Sequence, residues 1–181
     1  MTRKEGKGNI RLGISPILWT NDDLPELGSD ISFDECCHQM RTAGFNGCEL
    51  GNKFYERDHL NKDLDGHGLT VASAWFSTYF TTPNKQEDIL EKFEAHCNLL
   101  NSLGANIVII SECGNSVHHS TAAIFNSEVS FTNQQWLALF NGINKLRNIA
   151  NNYNLKISYH PHMGTGVQTE LQIKFLMQHT P

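Results

Sequence analysis

Two histidines one residue apart, His160-Pro161-His162, close a short β-branched run and are the sharpest chemical feature of the chain. Alternate residues of an extended segment point the same way, so both imidazoles can face one site. Neutral imidazole ligates manganese, cobalt, zinc or iron. The alternative is a hydrogen-bonded histidine pair at a strand end. Glu112 directly follows the apolar run Ile107–Ile110. A carboxylate there suits a general base, or a cap for the N–H groups of a loop. Lys53 could meet a carbonyl or oxyanion, or stand solvated. Asn21, Asp22 and Asn52 are hydrogen-bonding types that suit a polyhydroxylated ligand and equally suit turns. Trp19 and Trp75 could wall a sugar-like ring, or belong to the core. Gly164-Thr165-Gly166 fits a turn better than a phosphate site.

These residues share a position: each follows an apolar, β-branched stretch. Strands are predicted near Arg11–Ile17, Gly47–Leu50, Thr70–Trp75, Asn106–Ser111 and Lys156–Tyr159. Helical patterns lie between them. Ser32 with Glu35, Asn84 with Glu87, and Thr132 with Gln135 have helix-opening spacing, and Thr169 precedes a last helix over Glu170–His179. A weaker helix is predicted around Asp58–Asp65. The order βαβαβαβαβα demands parallel strands with right-handed crossovers. An open doubly wound sheet and a (β/α)8 barrel both fit. Ile14-Ser15-Pro16-Ile17-Leu18-Trp19 is no GxGxxG, which disfavours a dinucleotide-binding sheet. In either architecture the ligand edge is the one where the strands end, so five polar clusters in register reinforce one another. The loop Gly114–Phe131, with His118 and His119, is long for a βα connection and suits a lid or substrate loop.

Length and composition bound the reading. The chain has 181 residues, a length suited to a single domain over 1–181. With 39% hydrophobic and 18% charged residues it is neither disordered nor fibrous. No apolar run approaches the roughly 18 residues of a membrane span. The opening MTRKEGKGNIRL has no apolar signal core. Fourteen Lys and Arg against nineteen Asp and Glu give a net charge of −5, so the footprint of a nucleic-acid binder is missing. Five cysteines without a CxxC pair fit reduced thiols and a cytoplasmic location.

Five segments together resemble one family. They are Ser15 through Gly28, Gly44 through Lys53, Ala72 through Ser77, Ser111 through Gly114, and Tyr159 through Thr169. From about residue 10 onward the chain resembles the N-terminal portion of the inosose dehydratases, within the xylose-isomerase-like TIM-barrel superfamily. The resemblance implies an α/β fold of the (β/α)8 type, here with about five βα units of an incomplete barrel. It implies a lyase of inositol catabolism that removes water from scyllo-inosose (2-keto-myo-inositol) to give a trihydroxycyclohexane dione. It also implies Mn²⁺ or Co²⁺, glutathione, and a small polyol or ketone substrate. It leaves homo-oligomer formation open. In the superfamily the fifth strand supplies a metal ligand, usually glutamate, and here that position falls to His160. Glu112, Lys53 and His162 become candidates for proton transfer or oxyanion contact. Trp19, Asn21, Asn52 and Trp75 become candidates for substrate contact. The family commonly has three successive histidines where this chain has His160-Pro161-His162, so the middle imidazole is replaced by proline. Family members run to about 300 residues, and the other expected ligands lie on strands six to eight. A sugar isomerase or epimerase on the same scaffold, and an inactive polyol-binding chain, are the alternatives.

Overall fold

The computed structural model describes residues 10–22, 24–55, 57–83, 88–117 and 129–180. They form two compact units, Met1–Ala72 and Ser73–Pro181.

In the first unit β1 (Gly13–Ile14) pairs in parallel with β2 (Gly47–Leu50), with Gly13 opposite Gly47 and Ile14 opposite Cys48. The strand predicted over Arg11–Ile17 is cut to two residues. Pro16 has no N–H for a ladder and its fixed φ instead starts a 3-10 turn over Pro16–Leu18. Helix α1 (Phe33–Thr42) opens where its spacing predicts: the Ser32 hydroxyl accepts the Glu35 N–H at 3.1 Å. Its Phe33, Cys36, Cys37 and Met40 are buried. A short α2 (Asn52–Tyr55) follows β2 directly, and the helix expected around Asp58–Asp65 is present as α3 (Leu60–His67), shifted by two residues. Strand β3 (Thr70–Thr78) starts here, its Thr70 N–H donating to Asn46 O.

The second unit continues β3 and adds β4 (Ile107–Glu112) and β5 (Lys156–Tyr159). Both pairings are parallel: Trp75 lies opposite Ile109, Ser77 opposite Ser111, and Ile109 opposite Ser158. Helix α4 (Ile89–Ser102) joins β3 to β4 and buries Phe93, Cys97 and Leu100. Each such fully buried side chain contributes about 2 kcal/mol. The opening expected at Asn84 and Glu87 lies outside the described residues, as do His118 and His119. Helix α5 (Asn133–Asn152) opens on a full capping box between Thr132 and Gln135. Helix α6 (Glu170–His179) opens on a second, between Thr169 and Gln172.

All five cysteines are free and buried. Burial pushes the Cys37, Cys48 and Cys97 thiols up to about 12 and Cys36 to about 11, so these four pack as small hydrophobes rather than act as nucleophiles. Among the described residues no helix is long and apolar enough to cross a membrane.

Candidate functional site

In the first unit the predicted contact residues are held by their own surroundings. The Trp19 indole N–H donates to Gln39 Oε1 at 2.7 Å. Asn21 Oδ1 accepts the Leu24 N–H at 3.0 Å, a cap on the turn that follows it. The Asn52 N–H donates to Asp22 Oδ1 at 3.1 Å, tying the start of α2 to the loop after β1. Gly28 ends that loop at φ +73°, where a Cβ would lie 1.7 Å from Trp19 O, so no other residue fits.

Lys53 closes the same loop. Its ammonium donates to Gly28 O at 2.7 Å, to Ser29 O at 3.1 Å and to Ile31 O. An ammonium has three donors, and here three carbonyls take them. Replacing Lys53 by Met should therefore destabilise the first unit by about 2 kcal/mol, since hydrogen bonds to a charged group are the strong ones. Limited proteolysis checks this: cleavage within residues 20–31 should accelerate in the variant. Cleavage at the wild-type rate would return the ammonium to the proton-transfer role.

Glu112, the last residue of β4, has the arrangement of a loop cap. Its side chain is completely buried. Oε2 lies 2.7 Å from Thr78 Oγ1 and accepts the Phe80 N–H at 3.0 Å. Oε1 accepts the Thr81 N–H at 3.1 Å, the Thr81 hydroxyl at 2.8 Å and the Gly114 N–H at 3.1 Å. Both oxygens are spent on the chain leaving β3 and the chain leaving β4. The Glu112 N–H in turn donates to the Tyr159 hydroxyl at 3.3 Å. Burial raises the Tyr159 phenol above its ordinary range, which keeps it neutral.

The structure does bring together Trp75, His160 and His162. The Trp75 ring stands edge-on to both imidazoles, at centroid distances of 5.2 Å to His160 and 5.8 Å to His162, and the two imidazoles are 5.7 Å apart. Trp75 and His160 are exposed and His162 half-buried, so this cluster is open to a ligand. The Trp75 N–H donates to Ser77 Oγ at 2.8 Å. His162 Nδ1 lies 2.8 Å from Met163 O. A carbonyl only accepts, so Nδ1 carries a proton toward it. The segment after His162 is a tight turn: Thr165 N–H donates to His162 O at 3.2 Å and the Thr165 hydroxyl to the same oxygen at 2.7 Å. Gly164-Thr165-Gly166 is thus turn geometry.

Mn²⁺ or Co²⁺ would need a fuller donor set than this cluster supplies. Among the described residues no three His, Cys, Asp or Glu side chains are grouped so as to hold a metal ion. His160 and His162 offer two imidazoles, where protein metal sites normally take three or four ligands. These residues by themselves do not complete such a centre. Ser77 and Ser111 belong to the polar clusters at the strand ends, but the sequence alone gives neither a role. The strand register gives them one, setting Ser111 between Ser77 and His160.

The chain is similar to known proteins in sequence and in fold. No protein-family model matches the chain. It is 45% identical over 180 residues to an inosose dehydratase of Geobacillus thermodenitrificans, a match covering 98% of this chain and 59% of that protein. It is 42% identical over 167 residues to an inosose dehydratase of Glaesserella parasuis, covering 91% of this chain and 55% of that protein. The chain therefore spans under three fifths of the length of these relatives. Among solved structures, a xylose isomerase-like TIM-barrel protein from Mycobacterium smegmatis in complex with magnesium superposes with a TM-score of 0.66 at 16% identity, covering 94% of this chain and 61% of that one. A D-allulose 3-epimerase from Methylomonas in complex with D-allulose gives 0.68 at 15%, covering 94% of this chain and 58% of that one. At such identities the likeness is one of fold: α/β, parallel strands and helices of a partial TIM barrel.

Proposed function

Because this chain is a homologue of the inosose dehydratases over nearly its whole length, we propose that it serves the dehydration of an inosose, with scyllo-inosose as substrate. The observation that carries the reading is 45% identity over 180 residues to a dehydratase of that name. The chemistry is a β-elimination next to a ketone. A base takes the proton from the carbon beside the carbonyl, the C–H pair becomes an enediolate, and its collapse expels the β-hydroxyl as water once an acid has protonated it.

Three side chains of the second unit suit these roles. The His162 ring is oriented through Nδ1 and Met163 O beside His160 and Trp75, which makes it the favoured base. His160 lies beside it and can return a proton to the leaving hydroxyl. The exposed Trp75 face suits the apolar side of a cyclitol ring. Lys53 and Glu112 are bonded into loops, and they serve this reading by holding those loops in place.

The test is to incubate the protein with scyllo-inosose, and separately with ketohexoses, and to follow products by NMR. Dehydration of the inosose without epimerisation of the hexoses is expected. Epimerised hexose with intact inosose would overturn the reading. His162→Ala should lower kcat by about 100-fold, the scale of general-base catalysis, with the fold retained. A variant as fast as the wild type would remove His162 from the chemistry.

A further inference from the structure

We infer that Ser111 is a substrate-contacting residue whose hydroxyl is held in reserve for a hydroxyl of a cyclic polyol. The inference rests on the polyol reading of the site given above, and it adds a residue which that reading does not use.

Side chains alternate along a strand. On β4, Val108, Ile110 and Glu112 are fully buried on one face. Ile107, which is exposed, Ile109, which is half-buried, and Ser111 share the other face. Register extends that face sideways. Trp75, Ile109 and Ser158 form one row across β3, β4 and β5. One step toward the strand ends, Ser77 lies opposite Ser111, and His160 continues β5 beside it, its N–H donating to Ile110 O at 2.8 Å. Ser111 therefore occupies the centre of the row Ser77–Ser111–His160, adjoining the Trp75 and imidazole rings.

The hydroxyl itself is unusual. Ser111 is fully buried, and among the described residues its Oγ has no hydrogen-bond partner. Its neighbours are engaged elsewhere: Ser77 Oγ accepts the Trp75 indole N–H, and the Ser111 carbonyl lies 3.1 Å from Thr78 Oγ1. A buried hydroxyl without a partner costs stability, and nearly all such groups in folded proteins are satisfied. One that persists at the ligand edge of a parallel sheet, between a serine and a histidine, has a partner to gain from a ligand. A hydroxyl is one donor and two acceptors, and a polyol hydroxyl matches it in both roles.

The experiment compares the wild-type protein with Ser111→Ala by thermal melting and calorimetric titration, using scyllo-inosose and myo-inositol as probes. Without ligand, the variant should melt at or above the wild-type temperature, because the hydroxyl removed is unbonded. With ligand, its Kd for either probe should rise about tenfold, the scale of one hydrogen bond, and any turnover should show that change in KM rather than kcat. A ligand-free variant melting several degrees lower would overturn the inference, since the hydroxyl would then be bonded within the fold. An unchanged Kd would overturn it as well. A wild-type protein that binds myo-inositol but does not convert scyllo-inosose would sink the dehydration reading alone, and the Ser111 comparison would then be decided on myo-inositol. Wild-type protein binding neither probe would overturn both.

Discussion

Replacing Glu112 by Gln should cost about 3–5 kcal/mol of folding stability, read as a shift of the urea midpoint at unchanged slope. The carboxylate accepts three backbone N–H groups, from Phe80, Thr81 and Gly114, and meets two threonine hydroxyls. An amide has one accepting oxygen. Its NH₂ would face either the Phe80 N–H or the Thr81 and Gly114 N–H groups, leaving donors opposed to donors. A hydrogen bond to a charged group is worth about 1.5–3 kcal/mol, and each stranded buried donor costs about 1–3 kcal/mol, so even partial relaxation leaves a large loss. Against a typical total of about 5–15 kcal/mol this is a substantial share. The outcome separates two roles. A proton-transfer carboxylate predicts lost turnover in a protein that melts normally; a loop cap predicts the reverse order of effects, with turnover falling only because the loops after β3 and β4 loosen. A wild-type urea curve would sink the loop-cap role.

Gly142→Ala should also destabilise the protein, by about 1–3 kcal/mol, and here the sign is the informative part. Gly142 sits inside α5, where alanine is favoured over glycine by about 1 kcal/mol. Propensity alone therefore predicts a more stable variant. A Cβ at this position would lie 2.3–2.5 Å from ring carbons of Phe80. The ring has little room to retreat: Phe80 is buried, and its backbone N–H is held by Glu112. Overpacking of this kind typically costs about 1–3 kcal/mol, which outweighs the helical gain. Differential scanning calorimetry of the variant decides between them, and a raised melting temperature would show that the Phe80 ring moves freely.

Much of this architecture was legible in the residues, and the reason is locality. The capping boxes at Thr132 and Thr169 are complete within four residues, so their spacing carries the information. The βα rhythm likewise appears as alternation between β-branched runs and helical stripes. What failed locally failed for a local reason too: β1 is only two residues long because Pro16 starts a 3-10 turn just after it. The site was less legible. Glu112 and Lys53 stand after strands, as proton-transfer residues would. Apart from the Gly114 N–H, their partners lie 31–34 and 22–25 positions away, and no spacing rule encodes a carbonyl or an N–H. His160 and His162 could be paired with each other from sequence, but Trp75 meets them only through the register of β3, β4 and β5. Ser111 needed both register and the inventory of buried hydroxyls.

The reach of these ties also sets an order of events during synthesis. Lys53 bonds backward to residues 28–31, so its clamp has every atom it needs once residue 53 has emerged from the ribosome. The Glu112 carboxylate bonds backward to 78–81 and forward only as far as Gly114, while its backbone N–H awaits the Tyr159 hydroxyl. The two side-chain ties therefore each close within about one βα step. A chain built from such short backward links can consolidate in the direction of translation, one unit at a time, with little loop entropy to overcome at each closure.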